Sequence, residues 1–292
     1  MSETIGMTRW ALKKMGRTAV ARGSRFLSGA LRGRQKGRPA AVRALTYHRF
    51  GVAVRDPFCV APKDFALQMR ELARRKLAIS LEQLIACLAG KIELPRNAVL
   101  VTVDDGFRSL RTHALPILRE FAIPAVAFVS AGLIRSSNDR AHAHAAPEEY
   151  LSWSDLEYLA ERGVTIQSHG VTHRSLGRLP LDEVRCELFD SKQLLEQRLA
   201  LSVSSFAYPY GTRADYDLKI ARLTREVGYR FAFTSQHGAI LRGGDPHTLP
   251  RTKVESGETL ATFASLIEGG LDAWRWIDQG LWRMQASREV QA

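Results

Sequence analysis

Four clusters in this chain combine residue types that do chemistry at spacings that suit it. Asp104-Asp105-Gly106 ends the apolar run Val99-Leu100-Val101-Thr102-Val103. Two adjacent carboxylates repel each other, and at the rim of a core they persist when a cation or a proton holds them. Taken alone the pair reads equally as a solvated Asp-Gly turn with Asp105 capping the next helix. His169 and His173 follow the run Val164–Ser168 and stand four residues apart. On a helical turn that spacing puts both imidazoles on one face, as in divalent-metal pairs, and a carboxylate from elsewhere completes a facial triad with open positions. Asp105 is the third ligand this arrangement calls for. His48 closes the run Val42–Tyr47, and Tyr208 and Tyr210 follow Ser204-Ser205-Phe206-Ala207.

These clusters share a place in the pattern: each falls at the C-terminal end of a different expected strand. Strands over 42–47, 99–103, 124–130, 164–168, 204–208 and 230–234 alternate with helices. The helices are expected to open at Pro62, after Ser80, around Leu110, at Ser154, at Pro180 with a Leu181, Val184, Leu188, Leu195 stripe, and at Ala214. A further strand is expected around Arg251. Strand–helix alternation implies a parallel sheet with helical crossovers, either an open doubly wound sheet or a barrel. In a barrel the C-terminal face of the strands carries the site, so the clusters would converge on one mouth. A polar stretch from Arg135 to Glu149 reads as a loop on that rim.

Composition bounds the rest. With 292 residues, 45% of them hydrophobic, the chain suits one large α/β catalytic domain over 41–292. Cys59, Cys87 and Cys186 are odd in number and widely spaced, which argues against a disulfide framework or a thiolate zinc site. The formal charge of +12 is concentrated at the start: eleven basic residues up to Arg43 face Glu3 alone, which leaves +2 for the remainder. Residues 1–40 therefore form a basic extension, an amphipathic helix suited to an anionic membrane surface or a disordered tail. No signal-peptide core or membrane span is recognisable in it, so a cytoplasmic protein or one peripheral to the membrane is expected. The segment has no nucleic-acid motif, and no nucleic-acid partner is expected.

The motifs also carry a resemblance. Thr102-Val103-Asp104-Asp105-Gly106, Ser168 to His173, and Phe206-Ala207-Tyr208-Pro209-Tyr210-Gly211 resemble, in order, three signatures of the NodB-homology polysaccharide deacetylases, carbohydrate esterase family 4. The similarity runs from about Leu45 to Val254. It implies a distorted (β/α) barrel of about seven strands and metal-dependent removal of N-acetyl groups, as acetate, from an amino-sugar-containing polysaccharide or oligosaccharide. The implied metal is one divalent ion on Asp105, His169 and His173, with zinc expected and cobalt, nickel or iron compatible with the same donors.

The resemblance also implies roles for the neighbours of the metal site. Asp104 becomes the general base, and the Tyr210 backbone N–H, with Tyr208 beside it, faces substrate and oxyanion. The arginine that often opens the family's third motif is missing here, and Arg251 is the candidate replacement that orients Asp104. The late Leu-x-His motif is missing too. Leu45-Thr46-Tyr47-His48-Arg49 is instead similar to the early Tyr-His of the permuted poly-N-acetylglucosamine deacetylases, which makes His48 the candidate general acid, with His237 the runner-up. His247, after Pro246, is expected toward the opposite face. An O-acetyl esterase of the same fold and a non-catalytic carbohydrate-binding or membrane-surface protein are the alternative readings.

Overall fold

The computed structural model describes residues 41–52, 56–135 and 150–272, together with Gly16. Apart from Gly16, the basic segment expected over 1–40 lies outside the described residues, as does the expected rim loop beyond Arg135. In chain order the elements are β1 (Arg43–Tyr47), β2 (Arg49–Phe50), β3 (Cys59–Val60), α1 (Pro62–Arg75), α2 (Leu81–Leu88) and β4 (Val99–Asp105). A π-helical turn (Leu110–Ala114) runs into α3 (Leu115–Glu120), followed by β5 (Ala125–Val129), α4 (Trp153–Ala160), β6 (Val164–Ser168) and α5 (Leu181–Leu199). β7 (Ser205–Ala207), α6 (Leu218–Glu226), β8 (Phe231–Phe233), β9 (Arg251–Lys253) and α7 (Leu260–Ile267) complete the described chain.

Seven parallel strands make one sheet in the order β8-β7-β6-β5-β4-β1-β9. The sheet curls until its edges meet. Phe233 of β8 bridges Leu249 just ahead of β9, with Leu249 N–H donating to Ala232 at 2.9 Å and Thr234 N–H to Leu249 at 2.8 Å. The result is a distorted, nearly closed (β/α) barrel. β2 and β3 form a separate two-stranded ribbon beside the end of β1.

Parallel strands covered on both faces read as continuous apolar runs, and the two-residue period divides each run between two cores. Ala44, Leu100, Val126, Phe128, Ala207 and Phe233 fill the barrel interior. Leu45, Tyr47, Val101, Val103, Ala127, Ile166 and Phe206 face outward beneath the helices. Local signals set the helix starts: Pro62 opens α1, and Ser80 caps α2 in a reciprocal box with Gln83.

Three helix expectations need correction. α4 is capped by Ser152 with Asp155, one turn edge earlier than the expected opening at Ser154. α6 starts at Leu218 under Asp217, because Asp215 is engaged with Thr212 N–H at 2.9 Å and with Ser175 Oγ at 2.6 Å and holds the preceding residues in a loop. Leu181 is half exposed and leaves the buried stripe of α5 to Val184, Leu188 and Leu195.

The last helix is tied to the first strand. Buried Arg43 donates through Nε to the Ile267 carbonyl at 3.2 Å and through Nη1 to Asp272 at 2.5 Å. Gly269, at φ +90°, lies so close that a Cβ there would come within 2.3 Å of the guanidinium.

Candidate active site

Neighbouring residues on a strand point to opposite faces, so Asp104 and Asp105 cannot share a site on a regular strand. Asp104 keeps the inward parity of Leu100 and Thr102. Asp105 leaves the alternation: its φ is +73° and that of Gly106 is +85°, which swings its carboxylate back over the barrel end. Gly106 is required there, since a Cβ would stand 3.1 Å from Ile134 Cδ1 in a backbone conformation L-residues avoid.

Asp104 is buried and gripped by Arg251 in a two-pronged ion pair, Nη1 to Oδ1 and Nη2 to Oδ2, both 2.7 Å. Arg251 is itself wholly buried and also donates to the Thr234 carbonyl at 3.0 Å and to Thr102 Oγ1 at 3.1 Å. Burial pushes the Asp104 carboxyl up, but Arg251, with His169 and His48 nearby, brings it below the ordinary aspartate value. Asp104 is therefore an ionised carboxylate of fixed orientation.

His169 directly follows β6, and its Nδ1 lies 2.6 Å from the Ala207 carbonyl. That contact makes Nδ1 the protonated nitrogen and leaves the Nε2 lone pair for a ligand. His169 Nε2 and His173 Nε2 stand 3.4 and 3.1 Å from Asp105 Oδ1. The helical turn expected for this His pair is not what joins them. Gly170 (φ +83°) and His173 (φ +60°) take left-handed conformations in a loop, pinned by Ala131 N–H to Gly170 O at 2.8 Å and Gly132 N–H to Val171 O at 2.9 Å.

Among the described residues, Asp105, His169 and His173 form a group whose donor atoms all lie within 4.8 Å of one another. Asp105 Oδ1 is buried yet accepts no well-aligned hydrogen bond, although two imidazole nitrogens face it. A carboxylate oxygen and two imidazole nitrogens aimed at a common point, with no proton well shared among them, fit a divalent ion. Burial acts to raise the Asp105 carboxyl, but the imidazoles of His169 and His173 hold it far below the usual range. His173 shifts the opposite way: burial lowers it and Asp105 more than restores it, leaving it raised.

His48 follows β1, on the same strand-end face. Its Nδ1 is buried with no hydrogen-bond partner among the described residues, and its ring lies 4.9 Å from that of Phe58. Burial lowers its pKa, Asp105 and Asp104 pull it upward, and the cations Lys253 and Arg251 push it down, leaving it below the ordinary imidazole value.

With this geometry in view, comparison with known proteins gives a consistent result. Residues 91–232 match the family model for polysaccharide deacetylases. The chain carries a polysaccharide deacetylase domain. A Bacillus subtilis protein named as a polysaccharide deacetylase, YxkH, is 26% identical over 232 residues, 79% of this chain and 77% of that protein. A poly-β-1,6-N-acetyl-D-glucosamine N-deacetylase of Staphylococcus epidermidis is 24% identical over 240 residues, 73% of this chain and 78% of that one. Two solved structures share the fold. The Streptococcus pyogenes deacetylase PplD, in complex with acetate, has a TM-score of 0.69 and 22% identity over 80% of this chain and 99% of its own. IcaB from Ammonifex degensii has a TM-score of 0.62 and 23% identity over 80% and 98%.

Other residues of the deacetylase differ in how they sit. Tyr210, at φ +60°, is 56% exposed, and its ring meets that of His173 edge-on at 4.9 Å. Its amide N–H donates to no acceptor among the described residues. Tyr208, expected beside it on the substrate side, is instead fully buried. Ala207 faces the barrel interior, so Tyr208 faces out, where its hydroxyl donates to the His247 carbonyl at 3.1 Å and its ring stacks on Tyr216 at 4.8 Å. Burial raises its pKa, and it cannot touch a substrate. His247 Nε2 lies 2.9 Å from the Tyr229 carbonyl, ahead of β8 and so at the strand-start end of the barrel. His237 is buried in the loop after β8.

Glu187 on α5 was not singled out from the sequence. Its carboxylate accepts from Val171 N–H at 2.7 Å, from Thr172 N–H at 3.0 Å and from the Thr172 hydroxyl, and so holds the loop that carries both histidines. The available signal was an acidic residue set inside the Val184, Leu188 stripe.

Proposed function

We propose that this deacetylase removes N-acetyl groups from an amino-sugar polymer of the poly-N-acetylglucosamine class, releasing acetate, with Asp105, His169 and His173 holding one divalent ion, zinc by preference. The observation that carries the reading is Asp104, locked by Arg251 beside an Asp-His-His triad, on the same barrel end as His48. The N-deacetylase named among the relatives supports the substrate class.

An ion on the triad supplies Lewis-acid polarisation of the acetyl carbonyl and a lowered pKa for water. The chain's own residues do the rest. Asp104, ionised and fixed, accepts the proton of the attacking water on a lone pair that Arg251 leaves open. The Tyr210 amide N–H, without an internal acceptor, donates to the oxygen on which negative charge develops. The carbon–nitrogen bond breaks only as the nitrogen gains a proton, and His48 is the imidazole placed to give it. Water and amide are thereby converted to acetate and a free sugar amine.

A second reading, O-acetyl ester hydrolysis, is favoured by the buried His48 Nδ1, which has no acceptor among the described residues to hold a proton on it, since an ester's leaving oxygen needs less help from an acid. Residues 1–40, with their surplus of positive charge, are proposed to place the catalytic domain at an anionic membrane surface.

Acetate release from matched N-acetyl and O-acetyl glycans, measured with metal-reconstituted protein and with the His173→Ala variant, tests the proposal. It requires release from the N-acetyl glycan, and in the variant the joint loss of bound metal by elemental analysis and of turnover. A variant that retains stoichiometric metal refutes the ligand assignment.

A further inference from the structure

We infer that Phe58 is a stacking platform for a sugar ring on the leaving-amine side of the site, and that the enzyme reads at least two consecutive sugars. The inference rests on the deacetylase reading above and extends it to substrate length.

Phe58 is an aromatic residue outside both hydrophobic cores. Its neighbours Phe50 and Val60 are buried in the outer core, but Phe58 belongs to neither cluster and is 37% exposed. Among the described residues its one aromatic contact is the candidate acid: the rings of Phe58 and His48 lie 4.9 Å apart at 55°. A ring placed for packing alone would be turned into the core that lies two residues away.

The backbone around Phe58 is built to keep it at the rim. Phe58 N–H donates to Asp56 Oδ1 at 2.9 Å, and Asp56 is ion-paired with Arg49 at 3.1 Å. Arg49 N–H in turn donates to the Phe58 carbonyl at 3.1 Å, within the β2–β3 ribbon. From the other side, Ser256 N–H beyond β9 donates to Pro57 at 2.8 Å. The ribbon takes no part in the barrel sheet, and the residue it carries to the mouth is Phe58.

A second exposed ring stands across the mouth. Tyr210 follows β7 and touches His173, whereas Phe58 lies over the end of β1 and touches His48. Around the closed barrel β1 and β7 are separated by three steps in one direction and four in the other, so the two rings flank the mouth from opposite sides. The scissile amide must lie between them, over the triad. The apolar C–H face of a gluco-configured pyranose is the part of a glycan that stacks on such a ring. Because the two rings contact different site histidines from opposite sides of the mouth, a chain laid across the triad meets them with different sugars.

The test uses the full-length protein and a tetramer of β-1,6-linked N-acetylglucosamine. KM and kcat are measured on the tetramer and on a small aryl acetate for wild type, Phe58→Leu and Phe58→Tyr, and tetramer binding to metal-stripped protein is measured by calorimetry. Phe58→Leu is expected to raise the tetramer KM five- to twentyfold with kcat changed less than threefold, to weaken metal-free binding by a similar factor, and to lose far less on the aryl acetate. Phe58→Tyr restores the KM. An unchanged tetramer KM and affinity in Phe58→Leu overturns the platform, as does an equal loss on both substrates that Phe58→Tyr fails to rescue, which would make Phe58 a support for His48 only. A wild type that binds the tetramer in a Phe58-dependent manner without releasing acetate upholds the platform and refutes the deacetylation reading instead.

Discussion

Replacing Arg251 with Met isolates the contribution of the buried ion pair. The substitution keeps most of the side chain's length and apolar stem but removes both 2.7 Å bonds to Asp104 and the donors to Thr234 and Thr102. Breaking a buried pair by removing one partner costs ~3–5 kcal/mol, because the remaining charge is left without compensation. For a domain of this size ~1 kcal/mol shifts Tm by roughly 2–4 °C, so the expected drop is roughly 6–20 °C. Adding Asp104→Leu should recover part of it, since the second change removes the stranded carboxylate. The sign of the pH dependence follows from the lowered pKa of Asp104. Its folded value lies below the unfolded value of about 3.9, so the pair's stabilisation is fully present above that pH and is lost as pH falls through the folded value. The gap between wild type and Arg251→Met should therefore narrow in acid. Thermal and denaturant unfolding, followed by circular dichroism in the presence of a chelator, reads all of this without bound metal contributing. A loss under about 1 kcal/mol at pH 7, or a double variant no more stable than Arg251→Met, would refute the reasoning.

His48→Ala should keep its metal and lose most amide turnover while losing much less on an activated aryl ester; equal losses would indicate a structural role, and an unchanged amide rate would transfer the acid role to His237. Glu187→Gln should lower metal affinity by roughly 10–100-fold, the usual range for outer-shell partners, through loosening of the 169–173 loop. An unaltered metal Kd in a chelator competition titration would show that the loop holds without it. A chain beginning near Ala40 should hydrolyse a soluble acetylated oligosaccharide at close to the full-length rate and lose salt-sensitive pelleting with anionic vesicles, and failure of this shorter chain to fold would sink the division at residue 40.

The strands and their order of chemistry could be read from the sequence because buried parallel strands announce themselves as apolar runs, and each run here ends on a polar residue. The way each side chain reaches the site was less legible. The His169–His173 spacing has a ready helical explanation, and nothing in the residue types says that left-handed turns at Gly170 and His173 do the work instead. Tyr208 could have been placed by counting: inward Ala207 forces its successor outward. Glu187 and Arg251 act from 15 residues or more away from the groups they hold, a separation that no local pattern spans. Arg251 was reachable only as a substitute for a missing arginine. α7 and the β2–β3 ribbon carry short or weak patterns, and their positions depend on what they pack against.

The Arg43 clamp bears on how the chain is made. Its partners Ile267 and Asp272 lie 224 and 229 residues downstream, and β1 gains its second neighbour only with β9. At about 5–20 residues per second a ribosome needs roughly 10–45 s to cover that span. Between the synthesis of His173 and that of Arg251 the nascent chain carries β4 to β6, with Asp104, Asp105 and both triad histidines, but not the guanidinium that neutralises Asp104. The barrel therefore closes after synthesis of its last strand rather than growing strand by strand, and one edge of β1 stays open to other chains until it does.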